Sequence, residues 1–195
     1  MSQTFTIKTK LGFKAPNFLL PDTVTGKSFD YKSVKGEKGT LIMFICNHCP
    51  YVLHVMDELV EIGKEYLPKG IGFVAISAND VENYPEDSPE LMKQFAVNRG
   101  FPFPYLYDES QETAKAYQAA CTPDYNLFDA NDRCVYRGQL DGSRPQNNIP
   151  IDGRDLRDAL NKVIAGKKPD ENQLPSSGCN IKWKIQDKNP LKPLL

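Results

Sequence analysis

Two cysteines stand three positions apart in a short turn, residues 46–50 (CNHCP). An apolar segment, residues 40–46, leads into the turn, and Pro50 suits the first position of a helix because no helical hydrogen bond needs its missing N–H. A thiol at a helix N-terminus faces unpaired backbone N–H groups and the positive end of the helix dipole, which both stabilise the thiolate. His48, as an imidazolium, would lower the thiol pKa further. The pattern predicts thiol–disulfide chemistry with Cys49 as the reactive thiol.

The same residue types are compatible with other roles. Cys46 ends the apolar segment and fits a small buried hydrophobic side chain, and His48 fits an ordinary loop residue. A metal site would take Cys46, His48 and Cys49 from the turn, with Cys121 as a fourth ligand. A structural zinc site normally brings two close ligand pairs, whereas this chain has one, so we predict no metal and no other cofactor.

The turn needs a strand before it and a helix after it. Residues 40–46 (TLIMFIC) are a continuous apolar run, typical of a buried central strand. Apolar residues then recur at helical spacing over residues 52–66, and residues 71–77 (IGFVAIS) resemble another buried strand. Strand, helix and strand at this spacing predict a βαβ unit with a parallel strand pair.

Turn signals divide the rest of the chain into short elements. The sequence predicts an N-terminal hairpin around residues 25–27 and a later hairpin of residues 124–128 with 134–139. Helices are predicted at residues 110–120, after Ser88, and over residues 154–165 after a capping Asp152. These last assignments complete an α/β pattern.

Composition excludes several classes of protein. The 195 residues carry 24 basic and 25 acidic side chains, which leaves no broad positive field for nucleic acid. No signal peptide and no membrane-spanning apolar run is recognisable, so we predict a cytoplasmic protein with no membrane partner. Five cysteines are an odd number, which argues against a fully paired disulfide framework.

Four segments together resemble a known family. They are FICNHCPYVLHVMDELVEI, TPDYNLFDANDRCVYRGQLD, APNFLLPD and GFPFPYLYDE. The chain resembles the thioredoxin-like redoxin group, which also contains the alkyl hydroperoxide reductase and thiol-specific antioxidant (AhpC/TSA) proteins, over residues 13–165. The resemblance implies an α/β thioredoxin fold of three layers, a central mixed sheet with helices on both faces, an N-terminal hairpin and an extended C-terminal tail. We predict a domain of residues 1–166 and a tail of residues 167–195 in which only residues 179–183 can join a core.

The resemblance also implies roles for residues outside the turn. Pro123 would be a cis-proline packed beside residues 46–50, called the redox turn below. The backbone of Thr122 would hydrogen-bond a bound peptide or mixed disulfide. Cys121 would lie near the working thiols. We further predict that His48 and Pro50 contact the substrate.

The alignment departs from the usual active-site pattern. Thioredoxin-like reductases begin the helix with Cys-Pro-x-Cys, and matching the flanking residues puts Cys49 at the first of these cysteines and Val52 at the second. Cys46 then lies three residues upstream. The alternatives are a Cys46–Cys49 disulfide, a Cys49–Cys121 disulfide, or a single-cysteine enzyme.

Peroxiredoxins offer the second comparison. Their peroxide-reactive cysteine is also followed by proline, as Cys49 is here. The hydroxyl residue three positions earlier and the proline seven positions earlier are replaced by Cys46 and Ile42, and the activating arginine falls near Pro123. Those missing groups normally hold and polarise the peroxide.

We therefore predict an enzyme, a thiol–disulfide oxidoreductase in which Cys49 attacks and Cys46, or less favourably Cys121, resolves. Its partners would be protein or small-molecule disulfides or peroxides and a thiol or thioredoxin-type electron donor. A peroxiredoxin-like thiol peroxidase with antioxidant function is the first alternative. A non-enzymatic binding module or metal-binding protein is the second.

Overall fold

The computed structural model describes residues 3–184. Among these residues, no helix combines the length and apolar character needed to cross a membrane. The helices and strands, in chain order, are β1 (Gln3–Phe5), β2 (Leu19–Pro21), β3 (Ser28–Asp30), α1 (Tyr31–Val34), β4 (Gly39–Phe44), α2 (Pro50–Tyr66), β5 (Ile71–Ser77), α3 (Pro89–Arg99), β6 (Tyr105–Tyr107), α4 (Glu112–Ala116), β7 (Cys121–Thr122), β8 (Asp124–Asp129), β9 (Cys134–Tyr136), α5 (Arg154–Ile164) and β10 (Ser177–Asn180).

The central sheet has the strand order β6-β5-β4-β8-β9. Strand β4 runs parallel to β5, which confirms the predicted βαβ unit, and β5 runs parallel to β6. Strand β8 is antiparallel to both β4 and β9, so the later hairpin is also confirmed. The sheet is therefore mixed, with β4, which leads to the redox turn, at its centre.

Alternating side chains of β4 enter two separate cores. Leu41 and Met43 pack on one face with α2, α3 and α5, whereas Ile42 and Phe44 pack on the other face with α1 and α4. This period of two is that of a strand buried on both faces, and it explains why the segment is apolar at every position. The predicted arrangement of helices on both faces is confirmed.

Local boundaries differ from prediction at two helices. The N-terminal hairpin of β2 and β3 is confirmed, but α4 is shorter than the predicted residues 110–120, and Gln118 beyond it adopts a positive φ of 52°. Helix α5 is capped by Gly153, with φ of 62°, and not by Asp152. The reason is that buried Asp141 accepts hydrogen bonds from the backbone N–H groups of both residues and fixes the chain entry.

The C-terminal segment contributes a strand that the sequence did not predict. Strand β10 lies between β1 and β7 in a second sheet, with both neighbours antiparallel. The predicted core-forming part of the tail is confirmed for Cys179 and Ile181, which are buried, whereas Trp183 is 40% exposed. The boundary at residue 166 stays a prediction, and residues 185–195 of the predicted tail lie outside the described residues.

Candidate functional site

Strand β4 and helix α2 hold the redox turn as the sequence predicts. Helix α2 begins at Pro50, and Cys49 is its N-cap residue with extended backbone dihedrals. The carbonyl of Cys49 accepts hydrogen bonds from the N–H groups of Val52 and Leu53, each at 3.0 Å. The Cys49 side chain is thus fixed at the start of the helix, where thiolate is favoured.

Both thiols of the turn contact Thr122 at the end of β7. Cys46 Sγ lies 3.3 Å from Thr122 Oγ1, and Cys49 Sγ lies 3.1 Å from the carbonyl oxygen of Thr122. The Thr122–Pro123 bond is cis, as the resemblance implies. Cys46 and Cys49 are both buried, with exposed fractions of 1% and 0%. Cys49, the predicted reactive thiol, therefore lies beside the cis-proline loop, but it is more enclosed than its position in a polar turn suggested.

The two thiols have opposite pKa shifts. The pKa of Cys49 is lowered to about 5, chiefly by its interaction with the Cys46 thiol. Cys179 and Thr122 lower it further, and together these interactions outweigh burial, which alone would raise the pKa. The pKa of Cys46 is raised well above its ordinary value by that same hydrogen bond and by burial. The sequence predicted a low pKa for Cys49, and the structure adds neighbouring thiols as its cause.

This assignment gives a testable pH dependence. Because the thiolate of Cys49 is the reacting form, its alkylation by iodoacetamide should rise with pH through about 5 and level off above that value. Mass spectrometry of the Cys49 peptide at each pH measures the rate. A midpoint near that of an ordinary cysteine, about 8.5, would contradict the stabilised thiolate.

His48 is paired with a carboxylate that sequence reasoning missed. His48 Nδ1 lies 2.6 Å from Oδ2 of fully buried Asp87, and the interaction with this carboxylate raises the pKa of His48 against the effect of burial. Asp87 also accepts from the backbone N–H of Asn47 and from Asn79 Nδ2, both at 2.7 Å. Asp87 falls in a polar stretch with several acidic residues, and no pattern there distinguishes it from its neighbours.

The same groups form the one cluster in the described residues that could hold a metal ion. Ligand atoms of Cys46, His48 and Asp87 all lie within 4.8 Å of one another. Neither Cys49 nor Cys121, the other two ligands that the sequence suggested, belongs to this cluster, and Asp87 joins it instead. Thiolate, imidazole and carboxylate together would suit zinc.

Cys121 is not brought into contact with the turn. It pairs with Asn180 across the strands, whereas the adjacent Thr122 pairs with Cys179; successive strand residues point to opposite faces. Its Sγ contacts Thr6 Oγ1 at 3.8 Å and the carbonyl oxygen of Pro123 at 3.6 Å. Burial raises the pKa of Cys121. These contacts favour a structural thiol, and the predicted resolving role of Cys121 receives no support from them.

The strand position beside Thr122 is already occupied. Cys179 of β10 pairs with Thr122 in antiparallel register, so the backbone expected to bind a peptide pairs instead with the chain's own C-terminal segment. From the sequence alone, Cys179 qualifies as a distant resolving thiol only if the tail folds back, and β10 does fold back onto β7. On the outer side of the turn, Pro50 is exposed, whereas the His48 side chain is only 14% exposed.

Comparisons with known proteins agree with this architecture. The chain is 53% identical to an uncharacterised conserved protein from Geobacillus kaustophilus, whose crystal structure superposes with a TM-score of 0.94 over 95% of this chain and 98% of that chain. The thioredoxin domain of a thiol-disulfide oxidoreductase from Bacteroides vulgatus shares the fold, with a TM-score of 0.56, 18% identity, and coverage of 67% and 89%. The predicted thioredoxin fold is confirmed.

Sequence comparison gives the family. The thiol-disulfide oxidoreductase ResA from Halalkalibacterium halodurans is 30% identical over 127 residues, which are 65% of this chain and 66% of that protein. The sequence model of the redoxin family matches residues 10–151, a range that includes β4, the redox turn and the cis-proline loop. This chain belongs to the redoxin family.

Proposed function

We propose that this chain is a thiol–disulfide oxidoreductase in which Cys49 is the nucleophile and Cys46 the resolving thiol. The observation that carries the proposal is the pair of buried thiols at the start of α2, both in contact with Thr122. The neighbouring Cys46 thiol lowers the pKa of Cys49 to about 5, which favours the thiolate of Cys49 at neutral pH. A thiolate is the attacking species in disulfide exchange, and the adjacent thiol supplies the second step.

The reaction takes two exchanges. In the first, the Cys49 thiolate attacks one sulfur of a substrate disulfide, a Cys49–substrate disulfide forms, and the other substrate sulfur leaves as a thiolate. In the second, Cys46 gives up its proton and attacks the Cys49 sulfur, which forms the Cys46–Cys49 disulfide and releases the substrate thiol. The substrate gains two electrons and the turn loses two. An external dithiol then reduces the turn.

Neighbouring residues assist these steps in different ways. The hydroxyl of Thr122 stabilises the thiolate form of both thiols. The negative charge of buried Asp87 raises the pKa of Cys46, so Cys46 remains protonated and able to donate to Cys49 until the mixed disulfide forms. Asp87 also raises the pKa of His48, which favours the protonated form of that imidazole.

The relatives support this chemistry and indicate the class of substrate. The curated relative is named a thiol-disulfide oxidoreductase, and it is matched over 66% of its length. We propose protein or small-molecule disulfides as substrates, a thioredoxin-type dithiol as the electron donor, and the cytoplasm as the compartment. In a reducing cytosol the turn would work mainly as a reductase.

A turnover assay tests the proposal. With dithiothreitol as donor, the wild-type chain should accelerate the reduction of insulin disulfides, and partial oxidation should yield a reversible Cys46–Cys49 disulfide by peptide mapping. Cys134→Ser is a matched control, since Cys134 is buried in the other core and should leave turnover unchanged. No acceleration by the wild-type chain, with all thiols reduced and titratable, would contradict the proposal.

The two alternatives give different results in the same preparation. A peroxidase would show stopped-flow oxidation of Cys49 by peroxide far above the rate of free cysteine. The side chains that stabilise the Cys49 thiolate are Cys46, Cys179 and Thr122, and none of them is a cation that could polarise a peroxide. A metal-binding role would show stoichiometric metal in freshly purified protein and blocked Cys46 thiols, given the cluster with His48 and Asp87.

A further inference from the structure

Strand β10 presents a third cysteine to the redox turn. Cys179 stands directly opposite Thr122 in the antiparallel pair of β10 and β7. Residues directly opposite in such a pair point to the same face of the sheet. The Thr122 side chain contacts Cys46 Sγ at 3.3 Å, so Cys179 faces the turn.

The backbone geometry holds β10 close to this loop. A Cβ on Gly178 would lie 1.9 Å from the carbonyl oxygen of Thr122 and 3.2 Å from Pro123 Cδ, a space that no other residue type fits. Ser176 Oγ donates a hydrogen bond of 2.7 Å to the Pro123 carbonyl at one end of the strand. At the other end, the N–H of Ile181 donates to the carbonyl of Ala120 at 3.1 Å.

The Cys179 side chain interacts with Cys49 itself. It is 3% exposed and packs in the same core cluster as Cys46 and Cys49. Its thiol and its backbone N–H both stabilise the Cys49 thiolate, and burial and that contact raise the pKa of Cys179 to about 12. Cys49 thus lies between two thiols, one on the turn and one on β10.

We propose, on the basis of the function proposed above, that Cys179 is a second resolving thiol that exchanges disulfides directly with Cys49. In the oxidised turn, Cys179 gives up its proton and attacks the Cys49 sulfur of the Cys46–Cys49 disulfide. The Cys49–Cys179 bond forms, the Cys46–Cys49 bond breaks, and Cys46 leaves as a thiolate that takes the proton. The exchange conserves both electrons and needs no external oxidant or reductant.

The same attack would resolve a mixed disulfide on Cys49. Cys179 would displace the substrate thiolate, which takes the proton, and leave a Cys49–Cys179 disulfide for the donor dithiol to reduce. Cys46 and Cys179 would therefore compete for one sulfur. We therefore expect Cys46→Ser to complete a catalytic cycle through Cys179.

The test uses the full chain with Cys46→Ser. After treatment with one equivalent of diamide, non-reducing proteolysis and mass spectrometry should find an intramolecular Cys49–Cys179 peptide, and the same peptide should form in Cys46→Ser/Cys134→Ser. In Cys46→Ser/Cys179→Ser the peptide is absent, and the Cys49–insulin mixed disulfide should accumulate at least about tenfold because no thiol resolves it. In the wild-type chain, a minor Cys49–Cys179 peptide should accompany the major Cys46–Cys49 peptide.

Three results separate the two proposals. Turnover and a Cys46–Cys49 disulfide in the wild-type chain, without any Cys49–Cys179 peptide in wild type or in folded Cys46→Ser, would overturn the role of Cys179 alone. No turnover and no reversible disulfide at Cys49 in the wild-type chain would overturn the proposed function itself. If circular dichroism shows that Cys46→Ser does not fold, the presence or absence of the Cys49–Cys179 peptide in the wild-type chain decides the role of Cys179.

Discussion

Cys49→Ser should reduce disulfide exchange by about a thousandfold or more, to the level of the reaction without protein. A serine hydroxyl remains protonated at neutral pH and forms no disulfide, so the first bond of the cycle is lost. The loss should appear in the insulin reduction assay with dithiothreitol as donor. It should also abolish both mapped disulfides, since the two resolving thiols share Cys49 as their target.

The control separates chemistry from folding. Cys49 is fully buried and its side chain contacts Thr122, so the variant should be checked for an unchanged circular dichroism spectrum. Cys134→Ser carries the same substitution at another buried thiol and should keep wild-type turnover. Substantial turnover by folded Cys49→Ser would mean that another cysteine attacks, and the assignment of the nucleophile would be wrong.

The sequence pattern predicted the strand and the helix on either side of the redox turn. Residues 40–46 and the helix after Pro50 have patterns that specify a buried strand and an amphipathic helix, and these two elements alone fix the position of Cys49. The cis-proline loop required the family resemblance, because an X-Pro sequence by itself favours a trans bond.

Long-range placement could not be predicted in this way. Asp87, at the end of a short 3-10 helix, contacts His48 from 39 positions later in the chain. Cys179 interacts with Cys49 because β10 pairs with β7, a pairing between segments far apart in the sequence. A short strand of Ser, Gly, Cys and Asn has weak strand propensity. The sequence therefore predicts Cys49 as the nucleophile and Cys46, or less favourably Cys121, as its partner, whereas the structure places the Cys121 side chain on the strand face opposite to that of Thr122.

Gly178→Ala should release β10 from the redox site. The added methyl group would lie 1.9 Å from a backbone carbonyl oxygen, so the strand must shift away from Thr122 and carry Cys179 away from Cys49. We expect a loss of about 1–3 kcal/mol of stability from overpacking, and faster alkylation of Cys49 at pH 8 because the buried thiol becomes accessible. The pKa of Cys49 should rise at the same time, since one donor to its thiolate is removed.

Gly142→Ala provides the comparison, because a Cβ there meets Ile149 at an ordinary contact distance of 3.5 Å. It should change neither the alkylation rate nor the thermal unfolding midpoint. The shifted strand of Gly178→Ala should also form less Cys49–Cys179 disulfide while the Cys46–Cys49 disulfide persists, since β4 and α2 are untouched. Wild-type alkylation kinetics in Gly178→Ala would show that β10 neither covers Cys49 nor supports its thiolate, and the enclosure of the nucleophile would then depend on the turn alone.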